Sequence, residues 1–182
     1  MMAEAILLTV VTASTPILLA AIGELVVERS GVLNLGVEGM MILGAATAFA
    51  VAVMTGSTTA GIFAAILAGT LLAALFGAVT LGLAANQVAS GLALTIFGLG
   101  LSGLIGAGFV GAQRAPIEPF GGPLTELPVV GRLLFGHDPL VYVSFALVAA
   151  TWWFLFHTRA GLVLRAVGEN HASAHALGFA VL

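Results

Sequence analysis

The chain has 182 residues, 60% of them hydrophobic and only 7% charged, at a mean hydropathy of +1.19, whereas soluble domains carry about 25% charged residues, so this composition belongs in a bilayer. It contains neither cysteine nor lysine, which excludes disulfides and thiolate metal sites together with the lysine of a nucleotide-binding P-loop and any lysine Schiff base. A net charge of −3 with no basic stripe argues against nucleic acid as a partner.

The opening Met1-Met-Ala-Glu4 lacks the positive n-region of a cleavable signal peptide, so the first apolar run is expected to persist as a span. Runs long enough to cross a hydrocarbon core of roughly 30 Å as helices lie at about 5–23, 39–56, 60–85, 88–112 and 139–156. They predict an all-α, polytopic membrane protein with five spans in a single transmembrane domain.

Between the first two spans, Gly23 to Met41 is too apolar for an ordinary loop yet carries Glu24, Glu28, Arg29 and Glu38. The pattern predicts a helix extending to Arg29, a break at Ser30-Gly31, an extended passage through Asn34 and a new helix starting near Glu38. Two readings of Asn34 and Glu38 stand. A charge at membrane depth costs about 2.5–3.5 kcal/mol unless it faces a cavity or a partner, which would put both on a polar path. At the interface, the same residues would serve as caps for freed backbone groups and for the helix dipole.

Small residues recur at four-residue spacing in spans three and four, at Ala65, Gly69, Ala73 and Gly77 and at Gly103, Ala107 and Gly111. This spacing predicts close helix approach, since lipid supplies no hydrophobic drive between helices. Asn86-Gln87 is wedged between these spans. It reads either as a tight turn, for which Asn is a common residue, or as a pair of amides lining a transport route, each offering donor and acceptor to sugar hydroxyls or base edges. Ser102 within span four and His157 at the end of span five also permit an intramembrane serine protease, but a nucleophilic serine needs its base within hydrogen-bond reach, and these two are expected at different depths.

The segment 113–138 contains Pro116, Pro119, Pro123 and Pro128 and is expected to form a stiff, non-helical external loop. After span five comes a polar tail, 157–179. Gly168 is expected to end one short helix, Asn170 to cap the next and Gly178 to stop it. Arg159 and Arg165 favour a cytoplasmic side for this tail. His171 and His175 form an i,i+4 pair, but with no third ligand in view they are read as solvated helix residues rather than a metal site.

Three stretches, Glu28-Arg-Ser-Gly-Val-Leu-Asn-Leu-Gly-Val-Glu-Gly-Met-Met41, Asn86-Gln-Val-Ala-Ser-Gly-Leu-Ala-Leu-Thr95 and Gly161-Leu-Val-Leu-Arg-Ala-Val-Gly-Glu-Asn170, closely resemble the permease subunits of bacterial ABC importers for nucleosides and simple sugars, relatives of the ribose and branched-chain amino-acid permeases. Asn34-Leu-Gly-Val-Glu-Gly39 looks most like the nucleoside branch. The resemblance implies a non-enzymatic, cofactor-free subunit of the cytoplasmic membrane. Its implied partners are ABC ATPase subunits, a second permease subunit and an extracytoplasmic substrate-binding lipoprotein. The polar-path readings above place the substrate route at Asn34, Glu38, Asn86 and Gln87. The resemblance implies that Arg165 to Gly178 form the short cytoplasmic coupling element that docks into the ATPase, with contacts expected at Arg165, Gly168, Glu169, Asn170, Ala174 and Gly178. Two departures stand out: His171 occupies the place where such permeases usually have proline, and the family continues with further spans beyond residue 182. The chain is therefore expected to be an N-terminal portion of a permease, and a membrane scaffold without transport of its own is the alternative.

Overall fold

A computed structural model describes residues 2–115, 117 and 135–179, so most of the expected external loop, including Pro116, Glu118, Glu126 and Arg132, lies outside the described residues. The described elements are all helical. They are α1 (Met2–Arg29), α2 (Val37–Thr55), α3 (Thr58–Gly77) running straight into a π-helical turn (Ala78–Gly82), α4 (Gln87–Ala107), α5 (Pro139–His157), α6 (Arg159–Glu169) and α7 (His171–Ala176). Among the described residues, five stretches are long and apolar enough to cross a membrane: Ala5–Arg29, Val37–Thr55, Thr58–Gly82, Gln87–Ala107 and Pro139–His157. An unmet peptide group costs several kcal/mol in hydrocarbon, and a helix pairs its own groups within the segment, which is why so apolar a chain folds in this way.

The chain divides into two compact units, one formed by 1–26 and 115–166, the other by 27–114 and 167–182. In the second, α2 packs against both α3 and α4. Leu43, Leu72, Phe76 and Leu94 make its interior, with Val32, Met40, Ala68, Leu101 and Ile105 around them. The starts of α3 and α4 are capped by side chains, while α2 starts at Gly36 without a side-chain cap. Ser57 accepts from the Ala60 N–H at the head of α3, and Asn86 accepts from the Ala89 N–H at the head of α4. At the end of α3, the Thr80 hydroxyl donates back to the Phe76 carbonyl at 2.7 Å, and the backbone loosens into the π turn, closed by Leu83 N–H to Ala78 O at 3.2 Å. The turn exits through Ala84, a non-glycine residue at φ 52°, a conformation that costs an L-residue roughly 1–2 kcal/mol.

The small residues that bring helices together are not the rows singled out by four-residue spacing. A methyl group built on Gly98 would stand 2.5 Å from the Gly39 carbonyl oxygen, one on Gly39 2.7 Å from the Thr95 Cα, and one on Gly61 2.6 Å from the Ala48 carbonyl oxygen. At Gly69, Gly77, Gly103 and Gly111 nothing lies within 4 Å. From those rows, Ala65 lies 3.8–3.9 Å from the methyl position of Gly44 on α2. Spacing along a helix defines a ridge; which ridge meets a neighbour depends on how the helix is rotated.

In the first unit, Asp138 caps α5 by accepting from the Leu140 and Val141 N–H groups, with Pro139 in the first turn, where its missing N–H costs nothing. Val141, Ser144 and Leu155 are fully buried. The chain turns at Thr158, whose hydroxyl accepts from the Gly161 N–H at 3.0 Å. Gly161 then lies against the Phe154 and Leu155 backbone, where no side chain fits.

These contacts separate two kinds of glycine. Gly98→Val should lower stability by about 1–3 kcal/mol, the usual cost of overpacking. Gly69→Val, in open space, should change it by no more than about 0.5 kcal/mol. Thermal unfolding in detergent measures both.

Candidate functional site

The connector between α1 and α2 is the irregular backbone around which the polar groups of the second unit gather. α1 ends at Arg29, the chain turns through Ser30 and Gly31, runs extended through 32–34, turns again and enters α2 at Val37. Gly31 adopts φ +86°, the left-handed exit that glycine accepts without strain, and its N–H donates to the Glu28 carbonyl at 2.9 Å. Beyond the turn, α4 takes over as the source of partners. Gln87 Oε1 accepts from the Leu33 N–H at 2.8 Å, and the Thr95 hydroxyl donates to the Leu35 carbonyl at 2.9 Å. Between them Gly91 admits the connector itself, since a methyl group there would be 2.7 Å from the Leu35 nitrogen. Gln87, Gly91, Thr95 and Gly98 follow one another at intervals of four, four and three residues and therefore share one face of α4. That face is a cradle for residues 33–39, polar where the connector offers a peptide group and bare where it offers bulk.

Asn34 is buried, at 6% exposure. Its Oδ1 accepts from the Gly36 N–H at 2.9 Å and its Nδ2 reaches the Met40 sulfur at 3.9 Å. Glu38 is exposed in the first turn of α2, where its charge complements the helix dipole. Asn86 caps α4 through its Oδ1 at 3.0 Å from the Ala89 nitrogen, leaving its amide NH2 to other partners. Gln87 is half-buried on the connector. The structure thus brings Asn34 and Gln87 to the same connector, and both Asn34 and Asn86 support local backbone as well as offering polar groups.

A cavity of about 280 Å³ opens between the end of α3 with its π turn and the start of α4, lined by Phe76, Val79, Leu94 and Phe97 with Ser90 as its hydroxyl. Its walls suit apolar contents, and the polar groups of this unit gather at the connector instead. Among the described residues, no three His, Cys, Asp or Glu side chains gather in a metal-binding group. The Ser102 hydroxyl donates to the Leu99 carbonyl at 2.8 Å, and the His157 ring lies against Trp152 at 4.5 Å.

The tail forms two short helices. Asn170 caps α7, accepting from the Ser173 N–H at 3.0 Å, and Gly178, at φ +86°, ends it. Two expectations need correction. Gly168 does not end a helix: α6 continues through it to Glu169, and its lack of a side chain serves a close backbone approach to Arg29, Ser30 and Gly31. Ala174 does not face outward; it is 2% exposed, so the surface of α7 consists of His171, Ala172, Ser173, His175 and Ala176. Arg165 is committed within the first unit, its guanidinium 4.8 Å from the centre of the Phe156 ring in a cation–π contact.

Reading the sequence by motif passed over Thr95 and Arg114. The first could have been found by following Gln87 at helical spacing. Arg114 carried no such signal: it donates to the Ala52 carbonyl, to the Gly56 carbonyl at 3.0 Å and to the Thr58 hydroxyl at 2.9 Å, binding the chain after α4 to the α2–α3 turn. A cation on the last carbonyls of a helix also opposes its dipole. Arg114→Ala should destabilise the protein by about 1–3 kcal/mol, with at most partial rescue by lysine, which lacks the planar fork. Detergent unfolding of the two variants measures this.

Residues 6–182 match the sequence profile described as branched-chain amino acid transport system / permease component. A putative glucose ABC transporter permease protein of Haloferax volcanii, TsgC13, is 39% identical over 184 residues, covering 98% of this chain and 56% of that protein. The nucleoside ABC transporter permease protein NupC of Lactococcus lactis subsp. cremoris is 31% identical and the guanosine ABC transporter permease protein NupQ of Bacillus subtilis 33% identical, each covering 92% of this chain and 57% of its relative. The chain therefore spans a little over half the length of these relatives, and no solved structure matches it. By the match of its sequence from residue 6 onward and by these relatives, the chain belongs to the family of branched-chain amino acid transport system permease components.

Proposed function

We propose that this chain forms part of the permease subunit of an ATP-driven importer that carries nucleosides across the cytoplasmic membrane. Family membership and five apolar helices support a membrane permease. The observation that carries the polar route is the non-helical connector, with the Asn34 amide within it and the Gln87 amide bonded to it, and with Asn86 next to Gln87 at the head of α4. Irregular backbone at membrane depth is tolerated where it is buried in protein or lines a water-filled passage, and amides can both donate to and accept from bases and riboses. Simple sugars are the second reading, favoured by the 39% identity to a relative named for glucose. ATP hydrolysis belongs to separate ATPase subunits, and a second permease subunit and an extracytoplasmic binding lipoprotein complete the complex. The tail faces the cytoplasm, where Glu169, Asn170 and the outer face of α7 meet the ATPase.

In proteoliposomes of the complete transporter, labelled guanosine should accumulate with ATP; accumulation of glucose alone would select the sugar reading, and uptake of neither would refute transport of both classes. Asn86→Ser retains a capping oxygen but loses the amide. It should reduce uptake about tenfold with α4 stability unchanged, and normal uptake would return Asn86 to a purely structural role. A cysteine at Ser173, exposed on α7, should cross-link to the ATPase in intact membranes. Labelling of that cysteine from the outer face would reverse the proposed orientation.

A further inference from the structure

The tail and the connector touch, backbone against backbone, within the second unit. A methyl group on Gly31 would lie 3.1 Å from the Gly168 Cα, 3.2 Å from its carbonyl oxygen and 3.1 Å from the His171 Cε1. Reciprocally, one on Gly168 would lie 2.9 Å from the Gly31 nitrogen and the Ser30 carbonyl carbon, and nearer still to the Arg29 carbonyl oxygen. Gly168 must lack a side chain for this approach, and Gly31 is held to glycine by its φ of +86° together with the tight fit. An interior that is close-packed transmits displacement instead of absorbing it. The connector beyond the contact has little slack of its own, because Leu33 and Leu35 are bonded to Gln87 and Thr95 of α4 and Gly36 is bonded to Asn34.

We propose that the Gly31–Gly168 crossing is a rigid mechanical joint that passes movement of the tail directly into the α1–α2 connector, and through it to Asn34 and the first turns of α4. This rests on the transport reading for what moves the tail: closure of an ATPase against α7 displaces residues 167–171, and the glycine contact carries that displacement to the connector. The joint moves as one piece, so the tail and connector keep their mutual distance while both shift relative to the rest of the transporter.

The test uses the complete transporter in proteoliposomes. Gly168→Val wedges the two backbones apart and should lower the substrate moved per ATP hydrolysed at least tenfold while the ATPase remains bound. A wild-type ratio would overturn the joint. Because that variant can fail to assemble, a second protein carries Ser30→Cys and His171→Cys, bridged by a short bismaleimide. Bridging a rigid joint should leave uptake within twofold of the unbridged protein, and loss of uptake on bridging would show that the two segments slide past each other and would overturn the proposal. Failure of the pair to bridge in membranes would remove the crossing itself, whatever the transporter carries. Absence of ATP-dependent uptake by the unsubstituted complex, with the bridge formed, would refute the transport reading and leave the crossing standing as a fixed contact.

Discussion

Residues 30–36 are non-helical backbone between two membrane helices; the last turn of α1 accepts from the Ser30, Gly31 and Val32 N–H groups, but the Leu33 N–H and the Leu35 carbonyl need partners from elsewhere. The second unit is arranged around that requirement. One face of α4 provides an acceptor at Gln87, a donor at Thr95 and two bare positions at Gly91 and Gly98, through which the connector and the start of α2 come close enough to use them. A side chain at Gly98 would push Gly39 away, and with it the first turn of α2 on which the Thr95 bond to Leu35 depends. Polar satisfaction and close packing are therefore one constraint here.

The consequence for function is that flexibility is withheld from the place where a broken helix would ordinarily introduce it. A loop hanging free between two spans would absorb motion from a partner. This one is held on α4 on one side and touches Gly168 on the other. The remaining apolar surface, including Phe63, Ile96 and Leu104, is exposed in the chain, as suits side chains that face lipid or neighbouring protein. The bare ridges at Gly69, Gly77 and Gly103 lie on helices otherwise well supplied with such residues.

Several features were legible from residue types because they rest on local chemistry. Hydropathy over about 20 residues reveals a span whatever surrounds it, and the break after Arg29, the Asn170 cap and the Gly178 stop each follow from the conformational habits of one or two residues. The π turn after Gly77 was not legible, since the apolar run continues across it without interruption. Nor was the inward turn of Ala174 on a helix of six residues, where a shift of one position exchanges the buried face for the exposed one.

The sequence by itself determined the membrane environment, the number of apolar helices, the position of the connector and the family to which the chain belongs, because each is written in hydropathy, in turn residues or in motifs contiguous along the chain. Only the tertiary structure decided which glycines mattered. Gly39, Gly91, Gly98 and Gly168 look no different in sequence from Gly69 or Gly103, and what separates them is the backbone that stands opposite. The same holds for Arg114, whose partners lie 56–62 residues away. The physical reason is that a hydrogen bond or a close approach depends on the rotation and crossing of two helices, and neither quantity is encoded in the periodicity of either helix alone.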